Sequence, residues 1–258
     1  MKLSFSNIAW DKAHDEAVYT HLQALGYCGL ELAPTRLFSE NPYAHCKQAA
    51  QFSQRLYEKW GLRVCSMQSI WYGRREQIFG TAAERQALLD YTARAMEFAH
   101  AMGCGNLVFG CPKNRVLPDP SRLPLGEDFF RRCGALAHEA GAVFALEANS
   151  VCYGTNFLNT TRQVLDYCAL LDTPGLGVNL DLGTCLFNGE TLALSGRDWA
   201  RVSHIHVSRP QLAPIAPDSL DKQLCGIPFS GYCSAEMNPP GTLEPVLSAA
   251  DYLKEVLS

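Results

Sequence analysis

The chain has 258 residues, of which 47% are hydrophobic and 19% charged, and its formal net charge is −4. This length and composition suffice for one large domain with its own hydrophobic core, and they exclude a disordered chain. Because the net charge is acidic, the chain offers no broad basic surface for a nucleic-acid backbone, and nucleic acid is not expected as a partner.

Eight short apolar runs alternate with longer segments of helical periodicity along the chain. This alternation is typical of repeated strand and helix units, which build parallel sheets and barrels. The predicted strands are residues 3–6, 29–32, 63–68, 106–109, 143–147, 177–181, 202–207 and 232–237. Eight strands in a chain of about 250 residues predict a (β/α)8 TIM barrel, that is, an eight-stranded parallel α/β barrel.

The segments between the strands carry helix signals. In residues 82–103, apolar side chains recur at spacings of three and four before a terminating glycine. Residues 127–141 and 160–171 show the same pattern, and a threonine begins the second of these segments as a plausible N-cap. No linker or change of composition divides the chain, so we expect a single TIM-barrel domain over residues 1–258.

Two proline-rich connections, residues 111–124 and 210–228, follow the fourth and seventh predicted strands. Such connections leave the downstream rim of a barrel, where enzymes carry lids and substrate contacts. Ordinary surface loops are the alternative interpretation for both segments.

The chain lacks the usual signals for membranes and secretion. No apolar stretch approaches the ~20 residues of a membrane helix, and the first residues lack the apolar core of a signal peptide. The eleven cysteines are scattered without a C-x-x-C pair, which is typical of reduced thiols. We therefore expect a cytoplasmic protein without a membrane partner, and the sequence allows a homo-oligomer.

Four acid or imidazole side chains stand near the downstream ends of the last four predicted strands: Glu147, Asp181, His206 and Glu236. In a parallel barrel these ends meet at one rim, where the chemistry of such folds is carried. Three carboxylates and an imidazole brought together would leave costly buried charge unless a cation lay between them. The four residues therefore predict a divalent metal site.

Each of these residues also has an ordinary explanation when it is taken alone, because a strand-end carboxylate often caps a helix or pairs with arginine. The repetition over four consecutive strands favours the metal site. An oxygen-rich ligand set with one imidazole suits Mn²⁺ best, with Mg²⁺, Co²⁺ or Zn²⁺ as alternatives. His204 shares a strand face with His206 but lies deeper, so we expect it to support the site by hydrogen bonding.

The strand ends, which read ALEANS, NLDLGT, HIH and SAEMN, together with YGTNF after the fifth strand, resemble the xylose isomerase-like TIM barrels. The resemblance extends over essentially the whole chain and is strongest to the sugar phosphate isomerase and epimerase branch. It implies that Glu147, Asp181, His206 and Glu236 hold the metal. It also implies that Glu147 and Glu236 act as acid and base on opposite faces of the carbon beside a substrate carbonyl.

Two positions depart from the epimerase pattern. Many epimerases of this group have a substrate-contacting histidine three residues after the metal-binding aspartate, and here that position is Thr184. The relatives also carry an arginine after the metal-binding histidine, and Arg209 is the nearest counterpart, although its spacing differs. The resemblance therefore implies that Arg209 contacts the substrate. Thr184 in place of the histidine argues against a 3-epimerase in particular.

Further polar residues follow the earlier strands. Lys113 and Arg115 leave the fourth strand two residues apart and could hold a phosphate or carboxylate, with a solvated loop as the equal alternative. Glu31 and Gln68 end the second and third strands, where they could contact a substrate. With Arg209 and His204, these four complete the predicted substrate-binding residues.

The predicted function is a metal-dependent isomerase or epimerase of a small sugar or sugar phosphate, which abstracts a proton beside a carbonyl and passes through an enediolate. A dehydratase acting on a polyol ketone shares that step and is an alternative. Less favoured are a phosphodiesterase like those of the DNA-repair branch, which assembles a three-metal cluster from more histidines than the seven found here, and a barrel that binds sugar without turnover.

Overall fold

The computed structural model describes residues 1–257 as a closed barrel of eight parallel strands in sequential order. The strands are β1 (Lys2–Ser6), β2 (Gly29–Leu32), β3 (Arg63–Met67), β4 (Asn106–Phe109), β5 (Val143–Glu147), β6 (Leu176–Asp181), β7 (Val202–Val207) and β8 (Tyr232–Ala235). Pairing of β8 with both β7 and β1 closes the barrel. The predicted TIM barrel is confirmed.

Helices connect the strands and surround the barrel. They are α1 (Asp15–Ala24), α2 (Pro34–Leu37), α3 (Cys46–Trp60), α4 (Ala82–Met102), α5 (Leu123–Glu139), α6 (Thr161–Leu171), α7 (Leu182–Asn188), α8 (Gly196–Trp199), α9 (Ser219–Lys222) and α10 (Glu244–Leu257). Two long helices begin with reciprocal capping boxes, Thr81 with Glu84 and Thr160 with Gln163, so the predicted threonine N-cap is confirmed. None of the helices in residues 1–257 combines the length and apolarity needed to cross a bilayer.

Two predicted strand ends differ slightly from the structure. Gln68 and Glu236 were expected inside strands, but each lies just beyond one. Both still donate a backbone hydrogen bond to the neighbouring strand, Gln68 to the Leu32 carbonyl (3.0 Å) and Glu236 to that of Val207 (2.9 Å). Their side chains therefore keep the alternation that directs them into the barrel mouth.

The apolar core lies mainly between the strands and the surrounding helices. An aromatic cluster of edge-to-face and stacked rings joins β4 and β5 to α5; its central members are Trp71, Phe109, Phe129, Phe130 and Phe144. Rings at such separations stabilise packing by ~0.5–1.5 kcal/mol per pair beyond the area they bury. This layer fixes β4 and β5, and Glu147 lies at the end of β5.

The interior of the barrel, in contrast, contains hydrogen-bonded polar side chains. The Ser4 and Ser234 hydroxyls lie 2.7 Å apart, and Ser234 also contacts His204 Nε2 at 2.9 Å. Asn106 donates to the Ser66 hydroxyl at 2.9 Å and accepts from Ser203 at 2.8 Å. Buried polar groups paired in this way form a rigid floor below the rim.

The two proline-rich connections are only partly irregular. The first contains short 3-10 turns at Pro112–Asn114 and Pro120–Arg122, and α5 begins at Leu123, earlier than expected. The second contains the turn Pro210–Leu212 and the helix α9. Leu212 and Pro112 reach the cavity at the barrel mouth, so both connections contribute to its wall.

Candidate active site

A cavity of about 190 Å³ opens at the carboxyl ends of the strands. Its polar lining comes from five different strand ends and includes Gln68, Glu147, Asn149, Asp181, His206 and Glu236. The cavity is smaller than the ~300–1,000 Å³ usual for drug-sized ligands, so it suits a ligand smaller than a typical drug. Its walls bring together all four residues that were predicted to hold a metal.

His206 occupies the centre of this group and is almost fully buried. Its Nδ1 lies 3.1 Å from Glu236 Oε2 and 3.2 Å from Glu147 Oε2, yet neither contact has hydrogen-bond geometry, and Nδ1 has no partner. Burial alone would lower the pKa of His206, but the carboxylates of Glu31, Glu236 and Glu147 outweigh burial and raise this pKa well above its ordinary value. The imidazole is therefore the positive centre of an acidic cluster.

Glu147, at the end of β5, is held by two amide side chains. Asn149 donates to Oε1 at 2.8 Å, and Asn179 donates to Oε2 at 2.6 Å. Both amide oxygens are buried without a partner. The two donors fix the carboxylate in one orientation.

Asp181 ends β6 and serves as the N-cap of α7. Its Oδ1 accepts hydrogen bonds from the Thr184 backbone at 3.0 Å and the Ser208 hydroxyl at 2.7 Å. Burial, followed by repulsion from Glu147 and Glu236, raises the pKa of Asp181 to about 7. The Thr184 side chain is also buried and donates to the Ala148 carbonyl (3.1 Å), so this position supports the strand ends rather than lining the cavity.

Glu236 follows β8, which is two strands from β6 and three strands from β5 in the barrel, and it lines the cavity. Gln68 donates to its Oε1 at 2.8 Å and also donates to the Ser6 hydroxyl at 2.7 Å. Burial raises the pKa of Glu236 above its ordinary value, although His206 opposes this shift. Gln68 thus lines the cavity, as expected, and orients the carboxylate.

Glu31 and His204 lie one layer deeper and do not line the cavity. Glu31 is fully buried and contacts His206 Nε2 at 3.0 Å and His204 Nε2 at 3.4 Å. Burial opposes ionisation, but the two imidazoles lower the pKa of Glu31 to about 2. Burial lowers the pKa of His204 to about 4, so this ring is neutral at pH 7. Both residues support His206 from below.

The donor set fits a divalent cation. Glu147, Asp181 and His206 each offer one donor atom, and these atoms lie within 4.8 Å of one another. Glu31 receives the Nε2 proton of His206 and leaves Nδ1, the buried nitrogen without a partner, facing the carboxylates. A carboxylate behind a metal-binding histidine is the usual arrangement that fixes the ring and its tautomer.

The predicted pair Lys113 and Arg115 is divided by the structure. Arg115 is 0% exposed, and its guanidinium donates to the carbonyls of Glu147 (2.8 Å) and Leu158 (3.5 Å). Burial lowers the pKa of Arg115 to about 10. Lys113 is exposed and lines a neighbouring cavity. Arg115 therefore holds the end of β5, and only Lys113 of the pair remains exposed.

Arg209 is likewise not brought to the cavity. Its guanidinium forms a buried, two-pronged ion pair with Asp221 of α9 and also donates to the Ala216 carbonyl. Tyr252 donates a further hydrogen bond to Asp221 at 2.8 Å. The pair anchors the connection between β7 and β8 to the barrel.

Removing one charge of this pair is expected to destabilise the fold. Asp221→Asn leaves the Arg209 guanidinium buried without a counter-charge, which should lower the free energy of unfolding by roughly 3–5 kcal/mol. Urea denaturation measures the change. The control Glu127→Gln removes a surface pair with Arg131 and should cost no more than about 0.5 kcal/mol. Equal stability of Asp221→Asn and the parent protein would contradict the role given to the pair.

Several residues that line the cavity or orient its carboxylates were not predicted as site residues. Asn149 and Asn179 share strand faces with Glu147 and Asp181, and this alternation was the signal that could have identified them. Tyr153 lies on the turn after β5, and burial followed by the nearby Asp181 raises the pKa of its phenol, so its hydroxyl is a donor at neutral pH. Ser208, which orients Asp181, has no comparable sequence signal.

The chain was compared with protein families and with curated protein sequences. A profile of the xylose isomerase-like TIM barrel family matches residues 20–256. A comparison with curated protein sequences gave no match.

Similar solved structures cover the whole chain. They include the D-psicose 3-epimerase of Clostridium cellulolyticum H10 with D-tagatose (13% identity, TM-score 0.78, 100% of both chains). The 3-keto-D-glucoside 4-epimerase of E. coli shares 17% identity with a TM-score of 0.76, over 99% of this chain and 98% of the other. A family 2 AP endonuclease of Brucella melitensis shares 15% identity with a TM-score of 0.73, over 100% and 99%. At such identities the likeness establishes the fold, and the profile match over most of the sequence shows that the chain belongs to the xylose isomerase-like TIM barrel family.

Proposed function

We propose that this protein is a metal-dependent isomerase or epimerase of a small sugar or sugar phosphate. The observation that carries the proposal is the buried Nδ1 of His206, which has no hydrogen-bond partner and faces the carboxylates of Glu147 and Glu236. With Asp181 beside them, this arrangement combines a cation site with two groups suited to proton transfer. The D-psicose 3-epimerase and the 3-keto-D-glucoside 4-epimerase that share the fold are sugar epimerases by name, which agrees with the proposal.

Glu147, Asp181, His206 and Glu236 would hold the cation, with Mn²⁺ favoured by the oxygen-rich set. When bound, a divalent cation supplies Lewis-acid polarisation of the substrate carbonyl and stabilises the charge of the enediolate. Glu31 keeps the His206 ring in place through Nε2.

Proton transfer is assigned to Glu147 and Glu236. One carboxylate removes the proton beside the carbonyl, and the other returns a proton. Return to the opposite face of the same carbon yields the epimer, whereas return to the former carbonyl carbon yields the isomer. Asn149 and Asn179 orient the first carboxylate, and Gln68 orients the second, so neither needs to reorganise during the reaction. A dehydratase would begin with the same proton abstraction and is kept as the alternative chemistry.

The proposal is tested by solvent-deuterium exchange. Protein loaded with Mn²⁺ is incubated in D₂O with free and phosphorylated ketoses, and proton NMR follows the hydrogen beside the carbonyl. We expect loss of that signal together with isomer formation, abolition of both by a chelator, and recovery on adding metal back. Product analysis distinguishes dehydration from isomerisation. Absence of exchange above background with every ketose would contradict the proposal and favour a barrel that binds sugar without turnover.

A phosphodiesterase is less favoured, although the family 2 AP endonuclease shares the fold. Multi-metal repair sites need many imidazoles at the barrel mouth, but only two histidines lie on the strands of residues 1–257. The other five lie on or beside the outer helices and turns: His14, His21, His45, His100 and His138. Metal-dependent incision of abasic DNA by the purified protein would reverse this ranking.

A further inference from the structure

A second cavity, of about 500 Å³, adjoins the proposed active site. Three residues line both cavities: Ser69, Cys111 and Pro112. The loop after β3 forms one wall of the second cavity, and the loop after β4 forms the other. The two cavities are therefore neighbours at the barrel mouth, and we call the second one the annex.

The two cavities have opposite charge. The first is lined by Glu147, Asp181 and Glu236 with no lysine or arginine. The annex is lined by three basic side chains with no aspartate or glutamate: Arg74, Arg75 and Lys113. The walls of the two neighbouring cavities therefore differ in charge, acidic in the first and basic in the annex.

Two of the annex cations lack a counter-charge. Arg74 pairs with Glu76 and stacks on the Tyr91 ring, 4.8 Å from its centroid. Across residues 1–257, neither Arg75 nor Lys113 forms an ion pair with an acidic side chain. Both are exposed and available to a ligand.

Hydrogen bonds between the loops hold these cations on a fixed frame. The buried Asn114 side chain donates to the carbonyls of Arg74 (3.2 Å) and Glu76 (2.9 Å). Gln77 donates from its side chain to the Lys113 carbonyl at 2.9 Å, and Ile78 donates from its backbone to the Asn114 carbonyl at 2.9 Å. The two walls are thus joined at the residues beside the cations, which reduces the entropy lost when a ligand binds.

The junction of the two cavities is built from unusual backbone. Ser69 (φ 53°) and Cys111 (φ 42°) are non-glycine residues in the left-handed region, a conformation that clusters at functional sites because the surrounding structure must hold it. Beside the junction, the Tyr72 ring is 72% exposed and offers an aromatic face to a sugar. The annex therefore combines basic side chains with an exposed aromatic ring.

We propose that the annex binds the phosphate or carboxylate of an anionic sugar through Arg75 and Lys113, while the carbonyl end of the same sugar lies in the acidic cavity. Arg75 supplies a planar fork and Lys113 a point charge, a combination suited to an oxyanion. The inference rests on the proposed function for the identity of the carbonyl end and adds the class of substrate.

The test compares each ketose with its terminal phosphate ester. In metal-loaded Arg75→Gln and Lys113→Met, we expect the KM for the ester to rise about tenfold or more, because each variant removes a charge-assisted hydrogen bond, and the KM for the free ketose to change less than about twofold. Arg197→Gln and Lys47→Met remove exposed cations elsewhere and are the matched controls. Equal changes in KM for the free ketose and its ester, or no change in KM for the ester, would contradict anion binding in the annex.

A binding measurement separates this inference from the proposed function. Calorimetry with inorganic phosphate is carried out with and without the metal, because phosphate bound at the metal disappears on chelation. Saturable binding that survives chelation and is lost in the two variants supports the annex even if no ketose turns over. Turnover of free ketoses with no binding of phosphate would preserve the proposed function and reject the annex.

Discussion

Glu236→Gln is expected to lower the rate of substrate conversion by at least about 100-fold, since general acid or base catalysis contributes factors of ~100–10,000. Glutamine keeps the shape of the side chain and an oxygen for the Gln68 donor, but it cannot accept a proton from carbon. Glu147→Gln should lose conversion to a similar extent. Conversion is measured by NMR with metal-loaded protein, and circular dichroism confirms that the fold is intact.

The control for these variants is Glu255→Gln, the same chemical change on an exposed position of α10, which should retain full activity. Metal content is measured in every sample, because both glutamates are also proposed ligands. If the two carboxylates serve opposite faces of the substrate, the carboxylate that remains in each variant can still remove and return the hydrogen on its own face. Each variant should then exchange deuterium into one of the two epimers without converting it into the other. Full conversion by either glutamine variant would remove that residue from the proton-transfer assignment.

The barrel and the ring of metal-binding candidates could be predicted because both depend on local pattern. Strand alternation and strand order bring Glu147, Asp181 and His206 to one rim whatever the loops do. The order of residues along β7 indicated that His204 lies deeper than His206, and in the structure His206 lines the cavity whereas His204 does not. Small errors at the ends of β3 and β8 did not move Gln68 or Glu236 away from the site, because the backbone pairing continues past both strands.

The paths of the loops could not be predicted in this way. Arg115 and Arg209 look like substrate contacts from their position after strands, but their partners are set by tertiary folding. Arg115 meets the Leu158 carbonyl, 43 residues away along the chain, and Arg209 meets Asp221 on a short helix. Whether an arginine points into a cavity or stabilises the wall behind it depends on such contacts, which have no periodic signal. Lys113 was predicted to hold a phosphate or carboxylate together with Arg115, whereas Arg75 was not predicted, because it comes from a different loop.

Asp181→Asn is expected to change the metal-free and metal-loaded proteins differently. Asparagine keeps an oxygen for the Thr184 and Ser208 donors and removes a buried charge from beside Glu147 and Glu236. The metal-free variant should therefore be as stable as the parent protein or more so. Its affinity for Mn²⁺ should fall about tenfold or more, since an anionic ligand is replaced by a neutral one. Thermal unfolding with and without Mn²⁺ measures both effects.

Asp181→Asn distinguishes a metal site from a cluster of ion pairs around His206, because the two arrangements predict different changes in stability with and without Mn²⁺. A bound ion stabilises the parent protein by about 2.7 kcal/mol at a hundred times its dissociation constant, and a variant with tenfold weaker affinity should keep no more than about 1.4 kcal/mol of that gain at the same concentration. Asp172→Asn, on an exposed aspartate, should leave the gain unchanged. If the cluster exists only to neutralise His206, the loss of Asp181 removes a favourable contact with the imidazolium, so the variant should be less stable and neither protein should respond to the ion. That pattern would remove the cation from the site and, with it, the means of stabilising an enediolate.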